Sequence, residues 1–352
     1  MIKIIQSTQE WNDFRTEWDE LYESSSATPF QSFAFQYSSW EMLSNDNTLY
    51  IIVIMREQNK ELQTIFPTYL DKNGTLRFIN DKHSDFCSAL FANNGDNYNT
   101  FKEFSNYILS DNQIKGVFFN NLMHSNRLLS SLRPFFKLAQ VVDCNYYSVI
   151  EIYKKETDID SIDSIRNISA SRKKKLRKAI ESTSCTSLKL LAKSSGDLFP
   201  DGEIECLVDC MVSKGIRSKS YFSSEMIAFW RKLYDRAVLT IGCYFESGLI
   251  HSINFMFYDK SENEYIKWIM LYRDNSDNMK LTLMLIDNIY RNGGGRINFA
   301  RGIYDYKMEK FHPDVYPLFS VYLSKSKMRY LVNTFIININ YLKQVVKSII
   351  RK

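Results

Sequence analysis

Two short stretches of this 352-residue chain concentrate side chains able to move protons or hold anions. In the first, Asp81-Lys82-His83-Ser84-Asp85, an imidazole and a carboxylate share a polar cluster bounded by Phe78 and Phe86. Either His83 or Asp85 can serve as a general base. The same cluster also suits a plain polar turn between a strand and a loop. The second stretch, residues 293–310 (GGGRINFARGIYDYKMEK), offers Asp305 as a further base, unless its carboxylate pairs with Arg301 or Lys307. Arg301 and Lys307 lie close to Gly302, where charged donors can grip a phosphate directly. Tyr304 and Tyr306 suit stacking on a base or sugar, or simple packing. His251 stands alone on an apolar strand and reads as a satisfied core residue, while His124 and His312 carry no pattern.

Other clusters are less specific. Six positive side chains fall among the seven residues 172–178. They make either a solvated helix face or an attraction for phosphates, whether of a nucleotide-linked substrate or of RNA. Cys206 and Cys210, four apart on an expected helix, have the spacing for a metal. No other Cys or His pair matches it, so all six cysteines are expected to be reduced core thiols and no metal is expected. None sits by a histidine in a nucleophile pattern. The tail, 324–352, has a basic amphipathic pattern suited either to a membrane surface or to docking against the second half of the chain.

The elements that position these groups follow from periodicity. Hydrophobic residues make up 45% and charged residues 24%, which excludes wholesale disorder and a small disulfide-stapled scaffold. Only 12 glycines argue against repeated Gly-rich phosphate loops, and a net charge of +5 tolerates an anionic substrate without requiring nucleic acid. No apolar stretch reaches the ~20 residues of a membrane span, and the N-terminus lacks a signal-peptide pattern. The chain reads as cytoplasmic. Helices are expected over 11–23, 32–43, 98–110, 122–138, 170–181, 203–214, 223–237 and 282–291. Strands are expected over 49–55, 63–70, 75–79, 116–120, 146–153, 188–191, 239–245, 249–258, 265–272 and 296–299. Gly293-Gly294-Gly295 should stop a helix sharply. The reading is an α+β protein with two domains, residues 1–155 and 156–352.

The segment Asn298-Phe299-Ala300-Arg301-Gly302, with Tyr306-Lys307 four residues after the glycine, resembles the FemAB-like branch of the GNAT acyltransferase superfamily. In that branch a strand ends in Asp-Phe-x-x-Gly and is followed by Tyr-Lys; here Asn298 replaces the aspartate. Pro29-Phe30-Gln31-Ser32 with Trp40, the basic run at 169–178 and the hairpin at 239–272 are similar to further features of the family. The resemblance implies two tandem GNAT-like modules, each a mostly antiparallel sheet flanked by helices, with the acyl-CoA site in the second. The family's Gly-rich pyrophosphate turn corresponds to residues 274–281 (DNSDNMKL), which contain no glycine. A helix start there can still hold an anion, and Asn278, Met279, Lys280 and Leu281 are the implied cofactor-binding residues. Arg301, Tyr304, Tyr306 and Lys307 are the implied substrate-binding residues.

The leading function that the resemblance implies is N-acyl transfer from acyl-CoA to a nucleotide-linked amino sugar, in surface polysaccharide synthesis. Direct attack in a ternary complex needs no enzyme-bound intermediate, and splayed backbone around 250–255 would supply N–H donors to the oxyanion. His83 and Asp85 would face a cleft between the modules. One alternative is a FemAB-type aminoacyltransferase using aminoacyl-tRNA, against which 170–191 is too short for a long helical arm. Another is a non-catalytic scaffold.

Overall fold

In a computed structural model, the fold is described for residues 1–93, 95, 97–155, 160–181, 186–335 and 339. It divides into two compact units that exchange segments. Unit 1 comprises Met1–Ala27, Ser44–Cys144 and Leu318–Lys352; unit 2 comprises Thr28–Leu43 and Asn145–Pro317. Against the expected single break after residue 155, the chain therefore crosses between units four times.

The first half opens with β1 (Ile2–Ile5), α1 (Thr8–Asp13), α2 (Arg15–Ser24) and α3 (Phe33–Leu43). Strands β2 (Thr48–Leu49), β3 (Ile51–Met55), β4 (Leu62–Phe66), β5 (Thr68–Leu70), β6 (Thr75–Phe78) and β7 (Leu90–Phe91) follow. Pro67, which has no N–H for a ladder, separates β4 from β5. Next come α4 (Asn97–Ser110), β8 (Gly116–Met123), α5 (Arg127–Ser131) and the long β9 (Ala139–Ile152). The helix expected over 122–138 is corrected. Leu122 pairs with Phe319 in a sheet, and Pro134 leaves α5 five residues long. Non-local pairing overrides local spacing here.

The second half contains α6 (Ala170–Glu181), β10 (Thr186–Leu191), α7 (Asp201–Ser213), α8 (Ser224–Asp235), β11 (Thr240–Glu246), β12 (Leu249–Asp259) and β13 (Glu264–Tyr272). Then follow α9 (Asn275–Arg291), β14 (Gly295–Arg301), α10 (Asp305–Phe311) and β15 (Asp314–Ser324). The three glycines do end α9: Gly293 and Gly294 have φ of +100° and +96°, and a Cβ on Gly294 would stand 2.6 Å from the Ile152 carbonyl oxygen.

In unit 1, β1-β3-β4-β7 form one sheet, and the 318–324 portion of β15 pairs with β8 in the order β15-β8-β6-β5-β2. Strands β6 and β8 are parallel, joined through α4. The core stacks Phe66 on Phe104 at 4.0 Å and Phe78 on Phe119 at 4.2 Å. In unit 2 the order is β10-β11-β12-β13-β14, with the 145–152 portion of β9 on β14; β13 and β14 are parallel, joined through α9. Each unit thus has a parallel pair bridged by one helix, a duplication visible in topology and absent from sequence.

Unit 2 buries two layers. Leu281, Leu285, Ile286 and Ile289 of α9 cover one sheet face with Tyr244, Met256 and Phe299. The opposite face holds Phe229, Trp230, Phe255, Phe257 and Trp268, and α3 belongs there because Phe35 packs edge-on against Phe257 and Trp268 at 5.7 and 5.9 Å. Among the described residues, no helix is long and apolar enough to cross a membrane.

Candidate functional site

The site of interest in unit 2 forms where two parallel strands stop pairing. β13 and β14 register only from Glu264↔Arg296 to Ile266↔Asn298, although both continue further. Two irregularities coincide with that point. On β13, Lys267 and Ile269 face consecutive residues of β12, which leaves Trp268 as an extra residue. On β14 the register on β9 jumps between Asn298 and Arg301, and Ala300 takes φ of +55°. Bulges bend strands and re-aim side chains. Within the stretch expected to be splayed, 250–255, His251 is an extra residue between Ile250 and Ser252, which face the consecutive Phe245 and Tyr244 of β11. Ser252–Phe255 are paired on both sides, and a second unpaired edge is that of β13 beyond Ile266 on its β14 side.

Asn298 holds the strand end in place. Its Nδ2 donates to Glu264 Oε1 at 2.8 Å, and its Oδ1 accepts the Ala300 N–H at 2.8 Å. Burial pushes the Glu264 carboxyl up to about 7, against the Asn298 hydrogen bond and Arg296, which lower it. Lys307 is buried, and its Nζ donates to the carbonyls of Phe299 (2.7 Å) and Gly302 (3.0 Å). The ammonium expected to grip substrate is therefore tied to backbone. Lys267 is also buried and donates to Thr282 Oγ1 at 2.5 Å. Burial, and then the charge of Lys307, hold its ammonium well below the usual lysine range.

Tyr306 donates to Met270 Sδ at 3.3 Å, and burial raises its phenol. Tyr304 is exposed and stacks on Tyr306 at 6.3 Å, while Arg301 is half-buried at the end of β14. The backbone of Asp305 starts α10; its side chain lies outside the described residues. Behind this group lie Asn254, without a hydrogen-bond partner at either amide atom, and Asn278, whose Oδ1 has none. Asn254 is in register with Met270, which Tyr306 contacts.

The start of α9 is closed by carboxylates. Asp277 accepts the Asp274 N–H at 3.2 Å, and Lys214 lies 3.3 Å from Asp274. The His251 Nδ1 sits 3.5 Å from Asp277 and 3.8 Å from Glu246, and Lys280 lies 3.6 Å from the other Glu246 oxygen. Glu246, His251 and Asp277 are the described residues close enough together to share a cation. Of the implied cofactor residues, Asn278 and Leu281 are buried, Met279 packs against the core and Lys280 faces Glu246.

His83 and Asp85 belong to unit 1, on the connection between β6 and β7, where Asp85 is buried and the His83 N–H donates to Asn80 at 3.0 Å. The expected bases thus lie in the unit that does not hold the 298–307 motif. Within the basic run, Lys173 and Arg177 of α6 bond Asp163 and Asp160, and Lys174, Lys175 and Lys178 stay exposed. Cys87 and Cys243 are buried as expected. Cys206 is not: it is exposed, and Arg273 Nη2 donates to its Sγ at 3.5 Å. Sequence reasoning passed over Glu264 and Lys267. Their signal is a charge at each end of the short run EYIK, inside a strand whose other residues are apolar or aromatic.

No family model and no curated protein matches the sequence. Solved structures do match in fold. FemX gives a TM-score of 0.61 at 10% identity, covering 94% of this chain and 99% of that one. The C-terminal domain assigned to a lysylphosphatidylglycerol synthetase from Agrobacterium fabrum gives 0.57 at 10%, covering 93% and 95%. A tandem GNAT protein from the clavulanic acid biosynthesis pathway gives 0.51 at 8%, covering 91% and 98%. The chain has an α+β fold of two GNAT-like modules, similar in fold to FemX and to the tandem GNAT protein.

Proposed function

We propose that the protein is an aminoacyltransferase that moves an aminoacyl group from an ester donor of the aminoacyl-tRNA type to an amine. The observation that carries this reading is the carboxylate-closed start of α9. In the CoA-dependent enzymes that the motif resembles, the corresponding turn holds a diphosphate. Here a phosphate would meet Asp274, Asp277 and Glu246. Each like-charge contact at 4 Å costs about 4 kcal/mol at an effective dielectric of 20, and less at the exposed Asp274. Lys280 and Lys214, already beside Glu246 and Asp274, offset only part of it. An aminoacyl ester brings no diphosphate to that point.

The polar atoms behind the motif support the same donor. An α-aminoacyl ester presents an ammonium and a carbonyl; Asn254 Oδ1 and Asn278 Oδ1 are acceptors and Asn254 Nδ2 a donor, and none of the three has a partner. A simple acyl group would leave the acceptors unsatisfied, at a cost of about 1–3 kcal/mol each. In the reaction the amine nitrogen bonds the ester carbon, the carbon–oxygen bond to ribose breaks, the amine loses a proton and the ribose oxygen gains one. Lys267, whose ammonium is disfavoured by burial and by the charge of Lys307, is the group proposed to accept the first proton. N–H groups on the edge of β13 beyond Ile266 would face the oxyanion.

The likeness to FemX supports this reading too. It extends over 99% of that chain, so the shortness of 170–191 is no obstacle. Lys174, Lys175 and Lys178 remain available for an RNA backbone. Acyl-CoA transfer to a nucleotide-linked amino sugar retains the helix start itself, Lys280 and Lys214 as favourable features at α9, each cation already facing a carboxylate.

Incubating the full chain with charged tRNA and glycinamide, beside a calorimetric titration with CoA, separates the readings. Aminoacyl-glycinamide formation without CoA binding at millimolar concentration is expected. Micromolar CoA binding would overturn the proposal, and inactivity with both donors would leave the scaffold.

A further inference from the structure

The helix at 327–335 is inside out. Arg329, Tyr330, Asn333 and Thr334 form its inner face, and the bonds that fasten it are polar: Arg329 Nη2 donates to the Asn73 carbonyl at 3.0 Å, and Gln140 Nε2 to Thr334 Oγ1 at 2.5 Å. Its outer face is Met328, Leu331, Val332 and Phe335, with 71, 60, 48 and 67% of their surface open. These four fall at i, i+3, i+4 and i+7, the stripe that a surface helix normally turns inward. An ordered apolar stripe of this kind marks an interaction surface.

Charge says what covers it. Between residues 324 and 352 the sequence has seven Lys or Arg and no Asp or Glu, whereas the whole chain nets only +5, so residues 1–323 are net negative. The apolar spacing continues in the sequence through Ile339, Leu342, Val346 and Ile350, with Lys343, Lys347 and Arg351 interleaved. Apolar residues in one stripe beside cations, without acids, match a surface that is anionic above and hydrocarbon below. RNA offers the anions and bases that stack on a ring such as Phe335, but nothing for the aliphatic Met328, Leu331 and Val332.

We propose that the face Met328, Leu331, Val332 and Phe335 docks on an anionic membrane surface. The helix lies in the interface plane, its polar side holding unit 1 against the headgroups. This proposal is independent of the transfer chemistry in unit 2.

Co-sedimentation of the full chain with vesicles of phosphatidylcholine, alone or with phosphatidylglycerol, tests it. At least tenfold tighter binding to the anionic vesicles is expected, weakening as salt rises. Leu331→Glu with Phe335→Glu should abolish binding while the melting curve is kept. A Phe335→Trp variant gives a second readout, because brominated lipid should quench its fluorescence. Absence of vesicle binding and of quenching would overturn the proposal. So would a concentration-dependent dimer that the double substitution dissolves, or binding of tRNA that the double substitution abolishes with vesicles inert.

Discussion

The ring of Phe299 is shared by Lys267 and Lys307, whose Nζ atoms stand 5.5 and 5.8 Å from its centroid. The two amines are not equivalent. Lys307 reaches two carbonyls, whereas Lys267 meets a hydroxyl in a fully enclosed space. Burial and the neighbouring charge therefore fall on Lys267, which gives up its proton where an ordinary lysine would hold one.

That loss has a sign. Between the depressed folded pKa and the unfolded value of about 10.4, the unfolded chain binds the extra proton, so stability rises with pH across this window. Lys267→Met is expected to flatten the rise and to raise stability near neutral pH. Urea unfolding at intervals from pH 7 to 10 measures both; a variant that keeps the wild-type slope would dismiss Lys267 as its source. With aminoacyl-tRNA as donor, the same variant should lose the acidic limb of its pH–rate profile, the fall in rate as pH drops and the base takes up its proton.

Glu264 acts in the opposite direction. Its folded pKa, raised to about 7, lies above the unfolded value, so its contribution is full below pH 4 and declines as pH rises through 7. The decline amounts to about 3 kcal/mol at most. Glu264→Gln keeps an acceptor for Asn298 and should remove that decline. The Glu264–Asn298 bond also accounts for the asparagine where the related motif has aspartate: a carboxylate there would face a second one across a buried gap. Asn298→Asp should cost about 1–3 kcal/mol, and Glu264→Gln should recover most of it. A double-mutant cycle showing no coupling would refute this pairing.

Gly302 has φ of +101°, and a Cβ there would stand 2.8 Å from the Tyr304 ring. Gly302→Ala should displace Tyr304 and cost about 1–3 kcal/mol from backbone strain. If Tyr304 helps hold substrate, KM should rise more than kcat falls. Unchanged stability and kinetics would mean that the loop relaxes freely.

Phe35 is fully buried among Phe30, Phe229, Phe257 and Trp268. Phe35→Ala should cost about 3–5 kcal/mol. Because α3 belongs to unit 2, hydrogen exchange should accelerate along β12 and β13 while β3 and β4 of unit 1 keep their protection. Acceleration in unit 1 alone would contradict the assignment of this segment.

Much of unit 2 is legible in sequence. Helices α6 and α8 and strands β11 to β13 fall within two residues of where spacing puts them, because each carries its period without competition. β15 is not legible: Pro317 interrupts it, and its ladder partner β8 lies nearly 200 residues earlier. Segment exchange leaves no local mark, since the aromatic run of α3 looks alike whichever sheet it joins. At the site, residues 298–307 announce themselves through their types. Their work depends on Glu264 and Lys267, whose significance arises only once β13 is enclosed.

Segment exchange also has a consequence for synthesis. Residues 318–324, which pair with β8, emerge some 170 residues after Cys144. At translation rates of 5–20 residues per second, that delay is roughly 10–35 s. Throughout it, β8 presents a bare edge on the nascent chain, the kind of edge that recruits foreign strands. Unit 2 needs nothing beyond Pro317, so the later-encoded unit is complete first, and the amino-terminal one waits for the carboxyl terminus before it can close.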